Sequence, residues 1–105
     1  MELDPAAAAR AFGDAYFNLI RRGADGSLVL SADRWRLADL TDEAFEFGAL
    51  DPAAPAMTLP RADVASIRWE RLPKQRVRSQ IRFRLFSGDM WTFSGSFSLE
   101  EESTR

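Results

Sequence analysis

The 105 residues include no cysteine and no histidine, and their formal net charge is −2. This composition excludes a disulfide framework, thiolate chemistry, the serine–histidine triad and nearly all structural zinc sites. An apolar share of 46% with 29% charged residues fits an ordinary soluble globular chain of one-domain length, and no apolar run approaches the roughly 20 residues needed to span a bilayer.

The N-terminal stretch "MELDPAAAARAFGDAYF" is acidic and lacks the basic start of a secretory signal, so the expected location is cytoplasmic. The small net charge hides an asymmetry. Residues 1–60 carry 5 basic and 10 acidic side chains, whereas residues 61–105 carry 9 basic and 6 acidic. Of the basic residues only Lys74 is not arginine, and arginine suits bidentate pairing with carboxylate or phosphate.

In chain order, Asp4 stands at an N-cap position and Pro5 at the first helical position, where its missing N–H costs nothing. Ala8, Ala11, Phe12, Ala15, Tyr16, Leu19 and Ile20 recur at spacings of three and four. Arg21 and Arg22 then fall in a last turn, with Gly23 as a left-handed cap. The spacing predicts a helix over 5–22, about 27 Å long.

Beyond Gly23 the period changes to two, and residues 26–97 read as antiparallel strands. "GSLVLSADRWRLADL" gives two strands joined by a tight turn at Ser31–Asp33, and "AFEFGAL" a third, ended by the loop "DPAAPA". "MTLPRADVASIRWERL" gives a short strand, a break near Pro60–Asp63 and another strand; "PKQ" turns the chain into the long "RVRSQIRFRLF". Ser87-Gly88-Asp89 makes a hairpin turn into "MWTFSGSF", where Trp91, Phe93 and Phe97 share a face and Gly95 reads as a bulge. The tail 98–105 is polar. The expected architecture is one α+β domain over 1–105, with an N-terminal helix and about seven strands in a strongly bent sheet or partly open barrel.

Three segments in order, "GSLVLSADRW", "MTLPRADVASI" and "IRFRLFSGDMWTF", resemble the GRAM and pleckstrin-homology-like family across residues 26–97. The resemblance implies a bent antiparallel sheet and a binding role, with lipid headgroups or proteins as ligands. Two features depart from the pattern. Arg61 stands where the family has an apolar residue, and only eight residues follow Phe97, too few for the family's closing C-terminal helix. An open mouth would expose aromatic core at about 25 cal/mol per Å². The N-terminal helix has the length and apolar stripe to cover it; a second subunit is the alternative. Headgroup-binding relatives carry basic residues in the first hairpin loop, where this chain has only Arg34.

No Walker loop or dinucleotide fingerprint is present, and the glycines are scattered singly. Asp33, Asp39, Asp42, Glu43 and Glu46 cluster in sequence, but their spacing fits no calcium loop and reads as a solvated acidic surface. Trp35 reads as core. No catalytic residue, metal or cofactor is expected, and the chain reads as a non-enzyme.

In the strand over 76–86, Val77, Ile81, Phe83 and Leu85 point inward, so Arg76, Arg78, Arg82 and Arg84 point out. Arg68 and Arg71 are expected at the rim of this stripe and Phe86 beside it at the turn, with Glu70 the single acid within 68–84. The stripe is either a solvated sheet face or a binding surface. As a binding surface it is expected to dock an acidic surface of another protein. Binding of nucleic acid or an anionic lipid headgroup by the same arginines is the alternative. A third reading is a homodimer formed through an exposed aromatic mouth.

Overall fold

The computed structural model describes residues 1–31, 33–72 and 79–97. Helix α1 covers Pro5–Phe12; the Asp4 carboxylate accepts the N–H of Ala7 at 2.7 Å, as an N-cap should. The helix expected over 5–22 therefore ends at Phe12. Gly13 takes φ 55° while its N–H still donates to the carbonyl of Ala9 at 3.1 Å, a backbone excursion that glycine alone makes without strain. From Phe17 the chain is extended, and strand β1 covers Asn18–Arg22. Phe17 exchanges two backbone hydrogen bonds with Trp35, at 2.7 and 2.8 Å, and β1 finds a ladder partner on each side. Tertiary pairing overrides local helix propensity here.

The remaining strands are β2 Leu28–Leu30, β3 Trp35–Leu40, β4 Ala44–Ala49, β5 Met57–Pro60, β6 Val64–Arg71, β7 Ser79–Leu85 and β8 Met90–Gly95, with a 3₁₀ turn at Arg61–Asp63. Among the described residues the eight strands form two antiparallel sheets, in the order β2-β1-β8-β7-β6 and β3-β4-β5, which do not close into a barrel. The strand beyond the expected seven is β1, drawn from the residues read as helix. β2 and β3, read as neighbours across a tight turn, belong to different sheets, and the Trp35 indole N–H donates to Ser31 Oγ at 2.7 Å where the chain passes between them.

Short local bonds fix the β1–β2 hairpin. Gly26 takes φ 90°, the Gly23 N–H donates to the Ser27 carbonyl at 2.9 Å, and Asp25 Oδ1 accepts the Ser27 N–H at 3.0 Å. That backbone donor holds the Asp25 carboxyl below its usual range. At the far side of the larger sheet, Met1–Leu3 lies along β6: Leu3 N–H donates to the Ile67 carbonyl and Trp69 N–H to that of Met1, at 2.9 and 2.8 Å.

Gly95, expected to mark a bulge, instead sits in register opposite Ser79; the register shifts lie between Leu37 and Asp39 and between Val64 and Ser66. A Cβ at Gly95 would come within 3.2 Å of the Phe97 ring and 3.3 Å of Phe17 Cβ, so the glycine sits in a tightly packed corner where a larger residue would push its neighbours. Buried Ser79 ties down the same corner, since its Oγ accepts the Phe97 N–H at 3.2 Å and donates to the Phe97 carbonyl at 3.1 Å.

Phe12 enters the core from the last turn of α1. Its ring centroid lies 4.9 Å from that of Phe17, 5.2 Å from Phe93, 5.4 Å from Phe97, 6.0 Å from Phe47 and 6.1 Å from Phe83, so it touches aromatic rings from both sheets. Ala8 and Ala11 are buried beside it, and their small side chains let α1 sit close to the strands. Phe12→Ala would leave a cavity at the junction of every layer. We expect it to cost about 3–5 kcal/mol in chemical denaturation.

Candidate functional site

Alternation along the strands sorts the side chains of the larger sheet. Leu19, Ile67, Trp69, Ile81, Phe83, Trp91 and Phe93 go inward and are buried. The register then lines up the outward residues in rows across the sheet. One row runs Leu30, Ile20, Thr92, Arg82, Arg68; the next runs Leu28, Arg22, Met90, Arg84, Ser66; a third holds Asn18, Ser94, Gln80 and Glu70. At about 4.8 Å between strands, each row is a continuous strip of side chains.

Arg82 and Arg84 thus lie outward on β7 as their parity requires, and Arg68 stands directly opposite Arg82. Arg76 and Arg78, with Val77, lie outside the described residues. Arg71 does not belong to the stripe. It shares the parity of the inward Trp69, and its guanidinium sits 5.7 Å from the Trp69 ring centroid, a cation–π arrangement at the end of β6. Phe86 is 75% exposed at the β7–β8 turn, where its N–H donates to the Asp63 carbonyl at 2.9 Å. Trp35 is buried, as expected.

Two acids share this face among the described residues: Glu2, directly opposite Arg68 where Met1–Leu3 pairs with β6, and Glu70. Glu70 lies 3.6 Å from Arg82 Nη2 and 4.0 Å from Arg68 Nε, and it accepts a hydrogen bond from Gln80 Nε2 at 3.1 Å. These groups remain wet: the side chains of Arg68, Arg82 and Glu70 are 48%, 34% and 38% exposed. Such surface pairs contribute at most about 1 kcal/mol. Glu70 therefore spaces the guanidinium groups without neutralising the face. The Arg82 Nε is enclosed by its neighbours and has no hydrogen-bond partner among the described residues. A shallow hollow of about 360 Å³ beside it is lined by Ile20, Arg22, Arg82, Met90 and Thr92.

The expected stripe lacks the β1 part of this face, Asn18, Ile20 and Arg22. Ile20 and Arg22 were assigned to a helix, so they were not available to a sheet. Arg21 and Arg22, taken as a pair of helix-end cations, point to opposite sides: Arg22 is outward, while Arg21 stacks 5.4 Å from the Trp91 ring centroid. The alternation of buried Phe17 and Leu19 with Asn18 and Ile20, following Gly13, is the signal that could have found them. Ile20, Leu28 and Leu30 add exposed apolar surface to the arginine rows.

The outward positions of the smaller sheet include Arg36 and two acids. Asp39 and Glu46 face each other between β3 and β4, and Glu46 accepts the Thr58 hydroxyl at 2.8 Å. Among the described residues no three acids, or acids with other ligand types, come close enough to hold a metal ion. No helix among them is long and apolar enough to cross a membrane.

Removing the spacer tests the electrostatics directly. Glu70→Gln is expected to change unfolding free energy by no more than about 1 kcal/mol. It should raise the salt concentration needed to elute the protein from a polyanionic resin, and elution at unchanged salt would contradict this description of the face.

The chain was compared with family models, curated proteins and solved structures, and none of the three yields a match.

Proposed function

We propose that this chain is a non-catalytic binding module, of pleckstrin-homology-like type, whose outer face on the larger sheet docks an acidic surface of another protein. The observation that carries the reading is the register. It places Arg68 and Arg82 in one row and Arg84 and Arg22 in the next, alongside exposed Ile20, Leu28 and Leu30. Arginine beside apolar residues is the composition of protein-binding hot spots. A polyanion would be met better by an uninterrupted basic groove with stacking aromatics, whereas Glu70 interrupts this one and the strand aromatics of that sheet point inward. The net charge of −2 also gives little long-range attraction for nucleic acid. The fold-family part of the reading draws on the three motif segments and on the antiparallel sheets of five and three strands.

The test compares wild type with Arg82→Glu/Arg84→Glu in affinity capture from lysate of the source cells, read by mass spectrometry. Acidic protein partners recovered by wild type should be lost from the variant, with single truncations to alanine costing about 2 kcal/mol or more in the purified pair. Recovery of the same partners by both proteins would make the face merely solvated. Binding to single-stranded polynucleotide with a log–log salt slope near −0.7 per phosphate would transfer the arginines to the polyanion reading.

A further inference from the structure

The sheet edges are not treated alike. Met1–Leu3 covers β6, Phe17 bridges to the start of β3, and β5 ends in Pro60. β2, protected only by its three-residue length, has neither proline, charge nor bulge, and Leu28, Val29 and Leu30 are 56%, 50% and 71% exposed. Its backbone polarity follows from the hairpin. The Gly23 N–H donates to the Ser27 carbonyl and the Ser31 N–H to the Leu19 carbonyl, so odd-numbered residues of this segment bond to β1. Alternation then turns the N–H and C=O of Leu28 and Leu30 toward the open edge.

We propose that this edge pairs, antiparallel, with the same edge of a second copy of the chain, with Val29 facing Val29 on the two-fold axis. The stretch 27–31 reads Ser-Leu-Val-Leu-Ser, the same in both directions. A dyad at Val29 sets Leu28 against the partner copy's Leu30 as a hydrogen-bonded pair, twice, and Ser27 against Ser31, with no charged residue within the ladder. The two Leu pairs lie beside Ile20 of each copy on the outer face, and Val29 lies on the inner side at the mouth of a cleft of about 490 Å³ that also contains Leu59, Leu85 and Trp91. A three-residue ladder buries far less than the roughly 800 Å² per partner of a stable interface, so this is a weak, concentration-dependent dimer. The axis stands perpendicular to the sheet. It therefore keeps both arginine faces on one side, their Arg82 positions about 34 Å apart across ten strands. The pairing leaves the arginines free and shares only Leu28 and Leu30 with the docking face.

The chain has no cysteine, so Val29→Cys introduces its only thiol. Facing residues of a non-hydrogen-bonded antiparallel pair have Cα atoms about 4.5 Å apart, within disulfide range. Under mild oxidation Val29→Cys should form a covalent dimer at least about tenfold faster than Phe86→Cys, an exposed control. Sedimentation equilibrium of the wild type should show a dimer fraction that rises with concentration. Leu30→Pro removes a donor that faces away from β1, and Leu28→Lys puts charge on the edge; both should stay monomeric with unchanged circular dichroism, and Leu28→Lys serves alone if the proline variant does not fold. Arg82→Glu/Arg84→Glu should dimerise like wild type. The proposal is overturned by Val29→Cys linking no faster than Phe86→Cys, by a wild type monomeric at every concentration, by edge variants that still associate, or by loss of association in the arginine variant.

Discussion

One contact organises this molecule: the Phe12 ring, delivered from the last turn of a short helix into the space between two sheets. Its neighbours come from both sheets and from the segments flanking β1 and β8, so no layer can shift without opening a gap beside it. Interiors packed at crystal-like density resist such gaps strongly. With Phe12 fixed there, the chain has to leave the helix at once, and Gly13 allows the reversal. Phe17 then enters as the first inward residue of an extended segment, which fixes the parity of everything up to Arg22.

The outer face follows from that inner one. Once aromatic and aliphatic side chains have filled the inward positions of β6, β7 and β8, the alternating arginines have only the solvent side left. Two of them, Arg68 and Arg82, then stand directly opposite each other, an arrangement that destabilises a sheet by a few tenths to about 1 kcal/mol. Glu70, held by Gln80, recovers part of that cost. Glu2 stands opposite Arg68 on its other side, so the like-charged pair is flanked by acids at the edge of the sheet.

Period-two alternation was strong from Leu28 onward, and it located β3 to β8, the inward aromatics and the outward parity of Arg82 and Arg84. The failures have a common physical source. Residues 15–20 satisfy both a helical and a strand pattern, because Ala15, Tyr16, Leu19 and Ile20 recur at helical spacing while Phe17 and Leu19 alternate. What decides between them is hydrogen bonding with β2, β8 and Trp35, partners distant in sequence and invisible to a local window. The mistaken helix hid Ile20 and Arg22 from the face. Arg71 was misplaced for a different reason: sequence proximity counted it with Arg68, although three residues along a strand lead to the opposite side. Gly95 read as a defect because the Phe17 and Phe97 groups that crowd it arrive from elsewhere in the fold.

The two sheets turn unlike charges outward. Among the described residues, Arg22, Arg68, Arg82 and Arg84 share one exterior with Glu2 and Glu70, while Asp39 and Glu46 share the other with Arg36, and Asp42 and Glu43 stand at its β3–β4 turn. Among the described residues the balance is positive on the first exterior and negative on the second, which sets up a dipole across the two sheets. A charged body within a Debye length of about 8 Å therefore meets a different balance of charge at each exterior. The separation of the two sheets is what keeps those balances apart.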